Sequence, residues 1–248
     1  MTPSRLRFRN PIALLFSPAP WTALCYLVTF LLVGSLSFAV AFAALLAGLT
    51  LSITWLGLPV LAAALATVRL LADRERARLR MVGVAAIPRP YRPVQPAGLR
   101  AGLRERLRDP ATTRDAVLLV ALWVPLFVMD TVATAIWLAF ATMITLPVWY
   151  RYVPQTFDNG THAHGVDFGN FPNGPNGGGS WGFFVDDVRS ALLAAGIGAV
   201  PLVLVGNYLI VAAARAHAWA AASLLRKAAD PLAAAKQLLV EDPALSRG

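Results

Sequence analysis

The chain has 248 residues, of which 57% are hydrophobic and only 14% are charged, and its mean hydropathy is +0.60. This composition excludes an ordinary water-soluble domain and indicates an integral membrane protein. The formal net charge is +9, but the arginines lie in blocks beside apolar runs and accompany no nucleic-acid-binding motif, so we expect no nucleic-acid partner.

The first long apolar run extends from Pro11 to Val68 without a single Asp, Glu, Lys or Arg. A helix needs about 20 apolar residues to cross a bilayer, so this run is long enough for two passes. We predict a basic cytoplasmic leader over residues 1–20 and a first transmembrane hairpin over residues 21–72. Its turn lies between Gly48 and Pro59, and bilayer thickness favours a position at Gly48 to Thr50.

The next segment, residues 73–115, is rich in arginine and proline. A cationic excess beside a membrane span is typical of the cytoplasmic side, so this segment is predicted to be a cytoplasmic loop. It contains a short amphipathic helix with Leu99, Leu103 and Leu107 on one side. The arginines are either a solvated topology determinant or a contact for anionic lipid or a protein partner. The candidates for that contact are Arg74, Arg76, Arg78, Arg104 and Arg108.

A second transmembrane hairpin is predicted over residues 116–214, and a loop at residues 151–188 separates its two helices. This loop lacks the cationic excess and therefore belongs outside the cell. Its Asn and Gly content predicts turns and mobility rather than a folded domain. A cytoplasmic amphipathic tail follows over residues 215–248. The predicted fold is an all-α polytopic helical bundle in the cell membrane, with four transmembrane helices in two hairpins and both termini in the cytoplasm.

Asp130 is the one charged residue deep inside a predicted span. An acidic residue at that depth is costly and suggests a function such as proton sensing or coupling between helices. The alternative is structural, with a neutral acid hydrogen-bonded to Thr131, Thr134 or Asn207. Because no Lys or Arg lies deep in another span, the sequence favours the neutral acid. Asp130 and Asn207 are the candidates for intramembrane coupling.

His162 and His164 lie close together in the outer loop. They lack the further Cys or His ligands of a rigid metal site, so we expect a solvent-exposed pair without a metal or a cofactor. Together with Trp181 they are candidates for sensing at the outer surface. His217 lacks the acidic neighbour of a kinase phosphoacceptor, and no nucleophile with a base or phosphate-binding loop occurs, so we expect no enzymatic activity.

Four short motifs occur in the order and spacing of a known family. They are Leu56-Gly57-Leu58-Pro59, the segment Asp73 to Arg78, the segment Arg108 to Thr112 and the segment Leu146 to Arg151. In these motifs the chain resembles the four-span "putative sensor" domains of high-GC Gram-positive bacteria, which often precede histidine kinase modules and sometimes occur alone. The resemblance covers about Trp21 to Leu225 and implies a sensory role.

We therefore expect a non-enzymatic membrane module that relays an envelope or membrane signal to a cytoplasmic partner. Since this sequence contains no kinase module, the expected partner is a histidine kinase or another cytoplasmic signalling protein, and a homo-oligomer is a further candidate assembly. Two alternatives stay open at this stage. One is a transporter subunit, favoured by Asp130 near the membrane midplane. The other is a membrane scaffold that binds anionic inner-leaflet lipid or a soluble partner.

Overall fold

The computed structural model describes residues 5–6, 10–54, 56–91 and 98–226, and most of these residues are helical. The helices are α1 (Pro11–Leu15), α2 (Ala19–Thr29), α3 (Ser35–Thr50), α4 (Gly57–Arg78), α5 (Leu99–Arg108), α6 (Pro110–Ala116), α7 (Trp123–Trp149), α8 (Val188–Pro201) and α9 (Asn207–Leu225). The strands are β1 (Pro154–Thr156), β2 (His162–His164), β3 (Val166–Asn170) and β4 (Trp181–Val185). The mainly helical fold is confirmed, and the four strands are an addition that the sequence did not predict.

Three continuous helical runs are long and apolar enough to cross a membrane. They are Ala19–Ile53, Trp123–Tyr152 and Val188–Leu225, with 35, 30 and 38 residues. Many long apolar side chains on these runs are exposed, for example Leu32 at 70% and Ile197 at 60%. Apolar surface of this extent is typical of helices that face lipid, so the three runs indicate a membrane protein.

The second helix of the predicted first hairpin, α4, is not among these three runs. Its uncharged part extends only from Gly57 to Val68 before Arg69 follows. At 1.5 Å per residue this part is about 18 Å long, which is less than the ~30 Å of a bilayer core. The described residues therefore contain three candidate spans, where the sequence predicted four.

The first turn lies within the predicted range from Gly48 to Pro59, but not at its favoured position. Helix α3 runs through Gly48–Thr50, and the turn follows the short 3-10 segment Leu51–Ile53 and precedes α4 at Gly57. A Cβ at Gly57 would clash with the backbone of Leu51, so glycine is needed there. Gly48 instead allows α3 to pack closely against α4, because a Cβ there would lie 3.0 Å from Leu61 Cα. The prediction from bilayer thickness is wrong because it required a second helix that is apolar along its whole length.

The described residues form two compact units. The first unit combines the residues up to Leu36, Arg78–Val84 and Trp123–Trp219, and the second combines Ser37–Ala77, Ala85–Leu122 and the residues from Ala220 onwards. One buried cluster of the first unit consists of Leu146, Tyr150, Val185, Ala191 and Ala194. One buried cluster of the second unit consists of Ala41, Val68, Leu71 and Leu119.

The Asn- and Gly-rich segment between α7 and α8 folds into two antiparallel hairpins. Strand β1 pairs with β2, and β3 pairs with β4 from Val166 opposite Val185 to Asn170 opposite Trp181. These strands correct the prediction of turns without a folded structure. Alternation of apolar and polar residues is short and weak in strands of three to five residues, so the Gly and Asn content dominates the sequence pattern.

Aromatic rings of this segment form a small core rather than lying free. Phe157 and Phe171 are buried, and their ring centroids lie 6.0 and 5.4 Å from that of Phe184. Phe183 packs against the cluster that contains Leu146. The two hairpins are therefore joined to the end of α7 through apolar contacts within the first unit.

Helix α8 begins with a capping box. The side chain of Asp187 accepts a hydrogen bond from the backbone nitrogen of Ser190 at 2.7 Å, and the Ser190 hydroxyl bonds back to the Asp187 backbone. These hydrogen bonds from Ser190 lower the pKa of Asp187 below its ordinary value. The cap fixes where the strands end and the third apolar run begins.

Three parts of the prediction lie wholly or partly outside the described residues. Most of the basic leader before Asn10, the proline-rich stretch at residues 92–97 and the tail beyond Arg226 belong to this group.

Candidate functional site

A chain of three buried polar side chains lies in the core of the first unit. Asp130 comes from α7, His217 from α9 and Arg78 from the last position of α4. His217 Nδ1 lies 2.7 Å from Asp130 Oδ2, and Arg78 Nη2 lies 3.0 Å from His217 Nε2. Their exposed fractions are 0%, 1% and 6% for Asp130, His217 and Arg78. The three groups are thus removed from water and hydrogen-bonded in series.

The donors and acceptors of this chain assign the proton of His217. Arginine carries N–H donors and no acceptor, so Arg78 Nη2 donates to an unprotonated His217 Nε2. The ring proton is then on Nδ1, which donates to Asp130 Oδ2. His217 is therefore a neutral imidazole between a guanidinium and a carboxyl group. A second proton on Nε2 would face the Arg78 donor and break that hydrogen bond.

Two aromatic residues of the first helical run enclose the guanidinium of Arg78. Its central carbon lies 4.2 Å from the ring centroid of Tyr26 and 5.0 Å from that of Phe30. Arg78 Nη1 also donates to the backbone oxygen of Tyr26 at 2.8 Å. The Phe30 ring meets His217 edge to face, with centroids 4.4 Å apart. Cation–π contacts of this kind are strongest where water is excluded, as it is here.

A glycine makes room for one of these rings. A Cβ at Gly34 would clash with the ring of Phe30, which lies one turn earlier in the same run. The helix adopts a π turn over Phe30–Gly34, and such turns are frequent at functional positions. The local sequence thus permits Phe30 to lie against both Arg78 and His217.

The predicted intramembrane pair, Asp130 and Asn207, is buried as expected, but the two residues have different partners. Asn207 Oδ1 accepts a hydrogen bond from Trp137 Nε1 at 3.0 Å. Asp130 is bonded to His217, and neither a threonine nor Asn207 takes that role. The prediction of an acid without a basic partner therefore overlooked Arg78, which reaches Asp130 through the imidazole.

Sequence periodicity holds only a partial signal for this site. Asp130 and Trp137 are seven residues apart and so lie on one face of α7, but Asn207 and His217 are ten residues apart, which places them about 80° from each other around α9. The spacing in α7 predicts a polar strip on that helix, and it does not identify His217. Arg78 gives no comparable signal, because it is one arginine among many in its segment.

A separate buried network lies in the second unit around Arg76. Its Nη2 donates to Asp115 Oδ1 at 2.8 Å, and its Nη1 lies 2.9 Å from both Asp73 Oδ1 and the Tyr91 hydroxyl. Arg76 Nη2 also lies 3.5 Å from the backbone oxygen of Leu225 at the end of α9. The side chain of Arg76 is only 5% exposed. The network thus ties α4 to the end of α9.

A second arginine of α4 holds the start of α6. Arg69 Nη2 donates to Asp109 Oδ2 at 3.0 Å and to the Thr112 hydroxyl at 2.7 Å. Asp109 is also the N-cap of α6, where its side chain accepts from the backbone nitrogen of Ala111. Arg69 on α4 therefore holds one motif of the resemblance, Arg108 to Thr112, and the motif Asp73 to Arg78 follows Arg69 on the same helix.

Electrostatics of this network keep Arg76 charged and Tyr91 neutral. Burial raises the pKa of Tyr91, and its 2.6 Å hydrogen bond to Asp115 raises it further. Burial by itself lowers the pKa of Arg76, but the charge of Asp115 and the bond with Tyr91 outweigh it, so the pKa is raised. Burial also raises the pKa of Asp115, against the effect of Tyr91 and Arg76.

The predicted contact arginines divide into two groups. Arg74, Arg104 and Arg108 are exposed. Arg76 and Arg78 are 5% and 6% exposed, and their burial does not fit a contact with lipid or with a partner. These two arginines instead hold internal networks, which a count of charges in the sequence does not reveal.

The predicted outer-surface residues lie in separate hairpins. His162 and His164 are exposed on β2, and His162 Nδ1 lies 3.0 Å from the Thr156 hydroxyl. Trp181 lies on β4 and is 68% exposed. Within residues 5–6, 10–54, 56–91 and 98–226 no cluster of three His, Cys, Asp or Glu side chains is placed to hold a metal ion.

Comparison with known proteins agrees with the motifs. Searches of curated proteins and of solved structures give no match. The family model described as "Putative sensor" matches residues 26–225, which includes every residue of the Asp130, His217 and Arg78 chain and of the Arg76 network. The chain therefore belongs to the "Putative sensor" family.

Proposed function

We propose that the chain is a membrane sensor module that converts an envelope or membrane signal into a change in helix packing and passes that change to a cytoplasmic partner, without catalysis of its own. The buried chain of Asp130, His217 and Arg78 carries this proposal. Buried polar and charged side chains are costly unless they are paired, so a chain of three of them in one core favours a functional role. Arranged in series, they link α7, α9 and the end of α4.

A relay needs an element with two discrete arrangements. The bond between Arg78 and His217 supplies one, because it is made while His217 Nε2 is an acceptor and is broken when the ring rotates or gains a proton. A break leaves a buried guanidinium without its imidazole partner, which forces repacking. Either a movement of α7 at Asp130 or a change in the protonation of His217 would therefore change the contacts of Arg78.

The proposed path towards the cytoplasm follows α9, the helix that carries both His217 and Leu225. The carbonyl group of Leu225 lies beside Arg76, at the C-terminal end of the helix. A shift passed along α9 from His217 would reach Leu225 and the residues that follow it.

The proposed topology has four spans with both termini in the cytoplasm, and α4 forms the fourth. Its uncharged part is only about 18 Å long, so this span requires local thinning of the bilayer and arginine side chains that reach the headgroups. Arg69 would then mark the cytoplasmic boundary, since arginines flank spans on that side. Cysteines introduced by Arg104→Cys and Asn176→Cys in a Cys25→Ala background test this topology. We expect a membrane-impermeant thiol reagent to label position 176 in intact cells and position 104 only after lysis. Labelling of position 104 in intact cells would contradict the topology.

The functional test replaces the chromosomal copy by Asp130→Asn, which keeps the shape of the side chain and exchanges the carboxyl group for an amide. We expect the transcriptional response of the host to membrane-perturbing agents to be lost or fixed in one state, because the bond to His217 Nδ1 changes. Deletion of Asp158 to Ser180 tests the outer hairpins in the same assay. Asp186→Asn, the same change at an exposed position outside the deleted segment, is the matched control, and immunoblots of the membrane fraction establish equal amounts.

Two outcomes would contradict the sensory function. One is a wild-type response in both the Asp130→Asn and the deletion strains. The other is solute uptake into proteoliposomes that depends on Asp130, which would favour the transporter alternative.

A further inference from the structure

Helix α5 is amphipathic as predicted, but it buries only part of its apolar side. Leu103 is 5% exposed, whereas Leu99 and Leu107 are 53% and 51% exposed. The three leucines are spaced by four residues and lie on neighbouring parts of one face. A single leucine anchors the helix to the second unit, and the other two are left outside.

Exposed arginines lie beside these leucines. Arg100, Arg104 and Arg108 follow Leu99, Leu103 and Leu107 by one position each. None of the three forms an ion pair with any residue that the structure describes. The helix therefore presents cationic groups without acidic partners next to exposed apolar side chains, which is the pattern of helices that lie in a membrane surface.

A hydrogen bond fixes the depth of α5 relative to α4. Arg106 Nη1 donates to the backbone oxygen of Ala62 at 3.3 Å. Ala62 precedes Arg69 by seven residues, so it lies about 10 Å inside the uncharged half of α4. On the other side, Asp109 follows α5 directly and pairs with Arg69. Helix α5 is thus held alongside the last apolar turns of α4 and not out in the aqueous phase.

From these three observations we infer that α5 is a membrane-surface helix, with Leu99 and Leu107 in the boundary of the hydrocarbon and Arg100, Arg104 and Arg108 on anionic phospholipid headgroups. The partner is a lipid because, in the proposed topology, α4 crosses the membrane and the depth set by Ala62 lies within the bilayer. It is anionic because the exposed side chains are guanidinium groups. The inference thus rests on the proposed topology for this depth and for the choice of the inner leaflet.

The experiment uses the full chain with Cys25→Ala and Leu107→Cys, labelled with bimane at position 107. The protein is reconstituted into phosphatidylcholine vesicles with or without phosphatidylglycerol, and a lipid that carries a nitroxide near its headgroup quenches the fluorescence. We expect clear quenching that increases with phosphatidylglycerol and decreases at high salt. Removal of cationic groups by Arg100→Gln with Arg104→Gln should shift the docking equilibrium by about fivefold per arginine.

The matched control is Arg74→Gln with Arg80→Gln, which removes two exposed arginines that lie outside α5. It should leave quenching at position 107 unchanged. Quenching that is independent of phosphatidylglycerol, or that falls equally in the control, would overturn the anionic-lipid contact. Protection of the bimane only when cytosolic protein is added would also overturn it, in favour of a protein partner. The comparison of vesicles with and without phosphatidylglycerol requires no arginine variant. Topology mapping is a separate measurement, so either experiment can fail while the other succeeds.

Discussion

Arg78 and His217 are 139 residues apart in the sequence, yet Arg78 Nη2 and His217 Nε2 lie 3.0 Å apart in the core of the first unit. The opposite ring nitrogen of His217 is bonded to Asp130. Through this contact the acid in the apolar helix α7 becomes the end of a hydrogen-bonded chain. It also explains why a histidine that cannot act as an exposed phosphoacceptor is placed on α9.

His217→Ala is expected to destabilise the protein strongly. The substitution leaves Asp130 and Arg78 buried without their shared partner, and breaking a buried ion network costs about 3–5 kcal/mol. The free energy of unfolding in detergent micelles measures this effect. His164→Ala changes an exposed histidine on β2 and should stay within about 0.5 kcal/mol of the wild type.

A double-mutant cycle separates coupling from simple loss of packing. If the three residues act as one chain, His217→Ala combined with Arg78→Gln costs less than the sum of the two single substitutions. Strictly additive free energies would show that Arg78 and His217 do not stabilise each other.

Arg76→Lys should weaken the second unit although the charge is kept. A lysine offers one ammonium group, whereas the fork of Arg76 reaches Asp73, Tyr91 and Asp115 together. We expect a loss of roughly 2 kcal/mol in unfolding free energy, since at least one buried group loses its partner. Arg74→Lys, at an exposed position of the same helix, is the control and should have almost no effect. Equal effects of the two substitutions would contradict the network.

High pH should destabilise the protein through Tyr91. An unfolded tyrosine ionises near its ordinary pKa of about 10, and the folded pKa of Tyr91 is higher because of burial and Asp115. The stabilisation is therefore complete below about pH 10 and is lost as the pH rises through the folded pKa. Absorbance at the phenolate band should lose a late-titrating part in Tyr91→Phe and keep it in Tyr152→Phe, a change at an exposed position. Ionisation of every tyrosine before unfolding would contradict the assignment.

Gly198→Ala should loosen the contact between α7 and α8. A Cβ at Gly198 would lie 2.6 Å from Met143 Cβ and 3.1 Å from the backbone oxygen of Phe140, so the helices must separate. Overpacking of this kind costs about 1–3 kcal/mol. A Cβ at Gly196 meets no atom within 4 Å, and Gly196→Ala should be neutral or stabilising through helix propensity. Thermal unfolding of the pair in micelles tests this, and a reversed order would contradict the packing.

The sequence predicts the features that depend on local patterns. Apolar length predicted the helical runs, and the spacing of leucines and arginines predicted α5. The pairing of His217 with Arg78 depends on helices that are far apart in the chain, so no local pattern contains it. The β-hairpins were missed because their strands are short and rich in glycine. The first turn was missed because α4 is charged over nearly half its length, against the assumption of a full apolar span.

The protonation state of His217 tests the account most directly. The protein contains three histidines, so nitrogen NMR of histidine-labelled protein in bilayers resolves them, and His217→Gln identifies the signal. We predict a neutral ring near neutral pH, with a protonated Nδ1 bonded to Asp130 and an unprotonated Nε2 that accepts from Arg78. A ring protonated on both nitrogens, or a neutral ring with its proton on Nε2, would contradict the buried chain on which the proposed relay depends.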